Sequence, residues 1–154
     1  MQQLSEEEAQ TLIKLEKILL NPTAINIPPK LGKEKYELTD TKNIQEFIIN
    51  SNRSRKNARK ISLILLYNNN IILLRLDTGH GIHINPDNSE ILGGIPHIHI
   101  YHEGFDDKWA YPLPSCFTNI NNIAETLVEF FSYSNVINTN EIYVQGGLFD
   151  DRSD

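Results

Sequence analysis

The sequence predicts an α+β fold: an antiparallel sheet of about five to six strands, with an N-terminal and a C-terminal helix packed on one face. Three observations carry this expectation. A helix-start signature stands at Ser5, a series of short branched-apolar stretches runs from about 36 to 113, and an amphipathic stretch follows at 120–133. One helix, then strands in series, then one helix is the element order of a sheet with helices segregated from it. The 154 residues fit a single domain, 1–154, since a chain of this size can bury a sizeable core.

Ser5 and Glu8 have capping-box spacing, in which the hydroxyl accepts from the Glu8 amide and the carboxylate from the Ser5 amide. Leu12, Ile13, Leu15, Ile18 and Leu19 recur near helical spacing until Asn21-Pro22, where the residue before proline avoids the helical region, so helix is expected over 5–20. Residues 21–35 hold three prolines and read as an extended connection. Short strands are expected at 36–39 and 46–49. KISLILLY (60–67) and IILLRLD (71–77) flank Asn68-Asn69-Asn70, and asparagine tolerates the left-handed backbone of a tight turn, so the pair reads as a β-hairpin.

The next segment, 78–94, is a long loop dense in Gly, Asn, Asp and Pro, and long loops are usually functional or disordered. IPHIHIY (95–101) and KWAYPL (108–113) read as strands, 120–133 as a helix capped by Asn119 or Asn121, and EIYVQG (141–146) as a last strand before a frayed acidic tail.

Apolar residues make up 40% and charged residues 22%, which excludes the composition of a disordered chain. No segment reaches bilayer-spanning length and the N-terminus lacks signal-peptide features, so no membrane partner and a cytoplasmic location are expected. The single cysteine excludes an internal disulfide. Net charge is −6, yet RSRKNARK (53–60) holds five positive residues and no negative one, leaving −11 (−6 minus 5) on the remainder. The charge is segregated.

All five histidines, His80, His83, His97, His99 and His102, fall between 80 and 102. Strand alternation puts His97, His99 and Tyr101 on one face with Ile98 and Ile100 on the other, and likewise pairs Arg75 with Asp77 opposite Leu74 and Leu76. If these strands are neighbours, their polar faces coincide. Three kinds of role follow. Imidazoles titrating near neutrality can serve as acid and base without a cofactor, with Arg75 holding a phosphate and Asp77 fixing a ring, a set suited to attack of an RNA 2′-hydroxyl on its neighbouring phosphate. Alternatively His80, His83, His97 and His99, with Asp77, Asp87 or Glu103, offer ligands to a divalent ion such as zinc. The rings can also be structural or line a protein contact.

Arg53, Arg55, Lys56 and Arg59 are either a solvated connection or a phosphate-facing wall, and Tyr101, Tyr111 or Trp109 can stack on a base, although core packing is the expected role of Trp109. Asp106 and Asp107 are expected to face water.

RLDTGHGIHINPD followed by GGIPHIHIYHEGFDDKWAYPLP resembles the signature of an uncharacterised bacterial and phage domain family, in which Arg-Leu-Asp, His before Asn-Pro-Asp, Pro-His-x-His-Ile-Tyr and Asp-Lys-Trp-Ala-x-Pro-Leu occur in that order. The order of residue types is also similar, more loosely, to small RNA-cleaving toxins of toxin-antitoxin pairs. That likeness implies catalysis by His97, His99, His83 and Asp77, phosphate binding by Arg75, and RNA or an antitoxin as partner; the residues themselves add Tyr101, Arg53 and Arg55 as candidate substrate-binding groups. Occurrence of the family in phages implies a different class, a non-enzymatic inhibitor that binds a bacterial defence enzyme.

Overall fold

In the computed structural model, which describes residues 3–144 and 147–148, the capping box forms as expected: the Ser5 hydroxyl accepts from the Glu8 amide at 3.0 Å and the Glu8 carboxylate from the Ser5 amide at 2.9 Å. Helix α1 (Glu6–Lys14) is nevertheless shorter than its apolar spacing predicts. Lys17–Leu19 leaves it as strand β1, antiparallel to Leu38–Asp40. The cause is tertiary, because Lys17 is fully buried and its ammonium donates to the carbonyls of Ile13, Leu15 and Ser134 at 2.8–2.9 Å, 4.8 Å from the centre of the Phe47 ring. Burial lowers its pKa from 10.5 to about 7.

Strands β2 (Gly32–Asp40), β3 (Glu46–Arg53), β4 (Ile61–Tyr67) and β5 (Ile71–Thr78) form a meander. The β4–β5 turn places Asn68 and Asn69 at φ 51° and 66°, the left-handed region their side chains tolerate. After a two-residue hairpin of β6 (His83–Ile84) and β7 (Glu90–Ile91), β8 (His97–Ile100) pairs with β5 and β9 (Ala110–Pro112) with β8. The main sheet therefore has seven strands in the order β1-β2-β3-β4-β5-β8-β9, against the five to six expected; β1, read from sequence as helix, adds one. The 78–94 segment is shaped rather than irregular: the Asn85 amide donates to Ser89 O and the Asn88 amide to Asn85 O, both at 2.8 Å, closing a turn between β6 and β7.

Helix α2 (Ile123–Tyr133) is capped by the side chain of Asn122 rather than Asn119 or Asn121. Tyr143–Val144 (β10) pairs with Gly147–Leu148 (β11), whereas Gln145, Gly146 and 149–154 of the expected last strand and tail lie outside the described residues. Leu4, Leu12, Leu127, Phe130 and Phe131 join Phe47, Ile49, Leu63, Leu65, Leu74 and Leu76 in one apolar cluster. Each such side chain contributes about 1.5–3 kcal/mol by burial. The side chains that alternate away from this cluster on β2 to β5 and β8 form the opposite, polar face. No described helix is long and apolar enough to cross a membrane.

Candidate functional site

Residues directly opposite in an antiparallel ladder share a face, and the β5–β8 register sets Arg75 against His99 and Asp77 against His97. One strand further, Ser62 of β4 lies opposite Asp77. The polar alternations of three strands thus meet at Asp77. Its Oδ1 accepts from Ser62 Oγ at 2.8 Å and its Oδ2 from Arg75 Nε at 3.1 Å, while His99 Nε2 and His97 Nε2 stand 3.2 and 3.6 Å from Oδ2. Asp77, His97 and His99 are 4%, 2% and 1% exposed.

Each ring is oriented by its other nitrogen. Nδ1 of His97 donates to Ile95 O at 2.9 Å, Nδ1 of His99 to Asp107 O at 2.8 Å, and Nδ1 of His80 to Thr78 O at 2.8 Å. A carbonyl only accepts, so each of these Nδ1 atoms carries a proton, and the three Nε2 atoms turn toward Asp77. His80 Nε2 lies 3.2 Å from Ser62 Oγ and 4.0 Å from Asp77 Oδ1. His83, from β6, sits over the pair with ring centres 4.7 Å from His99 and 5.8 Å from His97. Its Nε2 is held by Asn85 Oδ1 at 2.9 Å and Lys108 O at 3.0 Å, which leaves Nδ1 unengaged.

Burial by itself would raise the Asp77 pKa, but hydrogen bonds from His97 and His99, the Arg75 charge and the Ser62 hydroxyl outweigh it and hold the carboxyl far below the usual carboxylate range. The reciprocal bond to Asp77 raises His97, against the opposing effect of its burial. Arg75 closes the rim by donating from Nη1 to Asp107 Oδ2 at 2.7 Å, and its Nη2 stands 3.1 Å from His99 Nε2.

Several sequence-predicted residues stand elsewhere. Tyr101 is in the apolar cluster, with its hydroxyl donating to Leu4 O at 2.8 Å and accepting from Leu4 N at 3.0 Å. The reason is a bulge: Leu65 pairs with Leu74 and Leu66 with Ile72, so Leu73 is an extra residue, and Tyr101, bonded through its amide to Leu73 O, follows it to the core side. Arg53 is opposite Ile61, on the face away from Asp77, and donates to Pro29 O and Ala58 O; Arg55 lies in the β3–β4 connection against Gly32. His102 binds Glu6 at 2.7 Å and the Tyr111 hydroxyl at 2.6 Å, tying α1 to the β8–β9 region. Trp109 is half-buried against Phe105 rather than a core residue.

Three contributors were not anticipated. Ser62 faces Asp77 only because of the Leu73 bulge, since the hairpin register across Asn68–Asn70 alone would set it against Leu76. Asp107, expected in water, binds Arg75, and Asn85 clamps both main-chain groups of Ala110 while holding His83. Those two depend on loop paths with no periodicity.

Asp77, His97 and His99 each present a ligand atom within 4.8 Å of the others. Three donors with ion-to-ligand distances of about 2.0–2.2 Å stand roughly 3.3–3.6 Å apart in a tetrahedral shell, close to the two separations from Asp77. With main-chain carbonyls behind both rings, the donor set has the outer support that metal-ligating histidines use.

The chain belongs to a family of unknown function, DUF6978, whose model matches residues 4–136. No curated protein matches the sequence, and no solved structure matches the fold.

Proposed function

We propose that this is a metal-binding protein in which Asp77, His97 and His99 hold a divalent first-row ion of the zinc class. The observation behind this reading is the convergence of imidazole Nε2 atoms on one buried carboxylate, each ring fixed from behind by a main-chain carbonyl. Nitrogen and oxygen donors without thiolate suit zinc, manganese or iron. Arg75 keeps the carboxylate compensated without the ion and, when the ion enters, retains Asp107 as its partner. Elemental analysis of protein loaded with zinc and freed of excess by gel filtration tests this. One ion per chain is expected, lost in His99→Ala and Asp77→Asn; no retained ion in the wild type overturns it.

A second reading, metal-free acid–base processing of RNA, has one specific observation in its favour: two imidazoles stand side by side on Asp77, and the bond to that carboxylate raises the pKa of His97. Their burial counts against direct contact with a substrate, which places this reading second. It requires RNA cleavage that persists in chelator and disappears in His97→Ala/His99→Ala.

A further inference from the structure

The polar face of the sheet extends well beyond the histidine site. The registers of four ladders align Lys33, Asn52, Ser62, Asp77 and His97 in one row, and Lys35, Asn50, Ile64, Arg75 and His99 in the next. Five strands at about 4.8 Å spacing make each row about 19 Å long. Over β5 and β8 the rows are buried, but over β2 to β4 they are open: Lys33, Lys35 and Asn52 are exposed, and Asn50, Ser62 and Ile64 partly so.

The same end of the sheet receives the β3–β4 connection, where Lys56 and Lys60 are exposed, whereas the Arg55 guanidinium lies against Gly32 on the other face. Among the described residues none of Lys33, Lys35, Lys56 and Lys60 forms an ion pair. Of the carboxylates at that end, Glu34 alternates away from Lys33 and Lys35 and accepts from Asn26 and from the Lys30 amide, and Asp77 is engaged by Ser62 and Arg75. The next row on this face, Glu37, Ile48, Leu66 and Ile72, is acidic and apolar, so the cationic band is two rows wide.

We infer that this band, from Lys56 and Lys60 across Lys33 and Lys35, is a binding surface for the backbone of single-stranded nucleic acid. The lysines supply the phosphate contacts, and Asn50, Asn52 and Ser62 supply donors and acceptors between them. The narrow width favours one strand over a duplex, which needs a broader cationic surface. Unpaired cations on a chain of net charge −6 are the local footprint that phosphate binding requires, since affinity depends on the charges that face the phosphates rather than on the total. The inference does not rest on the metal reading.

Fluorescence anisotropy of a labelled 12-residue oligouridylate, titrated with full-length protein over a range of NaCl concentrations, tests it. About four phosphates neutralised give a log–log salt slope of about −2.8, or roughly 50-fold weaker binding between 50 and 200 mM salt. Lys33→Gln/Lys35→Gln and Lys56→Gln/Lys60→Gln should each halve that slope at unchanged melting temperature. Lys42→Gln, exposed in the β2–β3 turn at the other end of the sheet, should leave it as it is. Absence of salt-dependent binding overturns the inference, as does an equal loss in Lys42→Gln. Equal affinity for an oligoglutamate of the same length overturns it in favour of an acidic protein partner.

Discussion

Replacing Asp77 by asparagine preserves the shape of the side chain and removes the charge on which Arg75, Ser62, His97 and His99 converge. Arg75 loses a charge-assisted hydrogen bond of about 1.5–3 kcal/mol, and His97, buried, loses the group that stabilises its cation. Removing one partner of a buried ion pair costs about 3–5 kcal/mol, and the lower end applies here because Arg75 keeps Asp107 and retains 29% of its side-chain exposure. A cost of about 3 kcal/mol corresponds to a fall of roughly 6–12 °C in melting temperature for a chain of this length. Calorimetry of the zinc-free protein at pH 7 measures it. The sign of the pH dependence follows from the depressed carboxyl: its stabilisation is present above the ordinary value of 3.8 and is lost only as pH falls through the lower folded value. The gap between wild type and Asp77→Asn should therefore persist at pH 4. A shift below about 1 °C, or a gap already closed at pH 5, would refute the account of Asp77 as the charged hub of the site.

His97, raised above 6.5 chiefly by its bond to Asp77, contributes stability that is present below pH 6.5 and is lost as pH rises through its folded value. In urea unfolding of zinc-free protein, the advantage of wild type over His97→Gln should shrink above neutrality and should be absent in the Asp77→Asn background. Lys17 acts with the opposite sign: its folded pKa of about 7 lies below the unfolded 10.5, so the unfolded chain holds the proton and stability rises between those values. Lys17→Met should lack that rise when urea unfolding is followed from pH 7 to 10. Tyr101→Phe leaves the Leu4 amide and carbonyl without their buried partner, and a loss of about 1–3 kcal/mol is expected by denaturant titration with the histidine site intact.

The capping box, the Asn68–Asn70 hairpin and the alternation of His97 with His99 and Arg75 with Asp77 were legible because each depends on residues at most a few positions apart, where backbone periodicity and turn chemistry act directly. Where several local solutions were open, distant groups chose. ILL at 18–20 satisfies a helix as well as a strand, and the Ser134 carbonyl on the Lys17 ammonium, with the ladder to Leu38–Asp40, selected the strand. Alternation alone would send Tyr101 to the histidine face, but the extra residue at Leu73 reversed it.

From its sequence alone this protein acquires its class, its strand-borne polar pairs and the concentration of imidazoles between 80 and 102, because composition and periodicity are properties of neighbouring residues. Only the tertiary structure decided that the pairs on β5 and β8 lie side by side, that main-chain carbonyls of Ile95 and Asp107 orient the rings, and that Arg53, Arg55 and Tyr101 stand apart from them. Those outcomes depend on strand register and loop path, which are set by burying one face of the sheet as a whole and so are written in no short stretch of the chain.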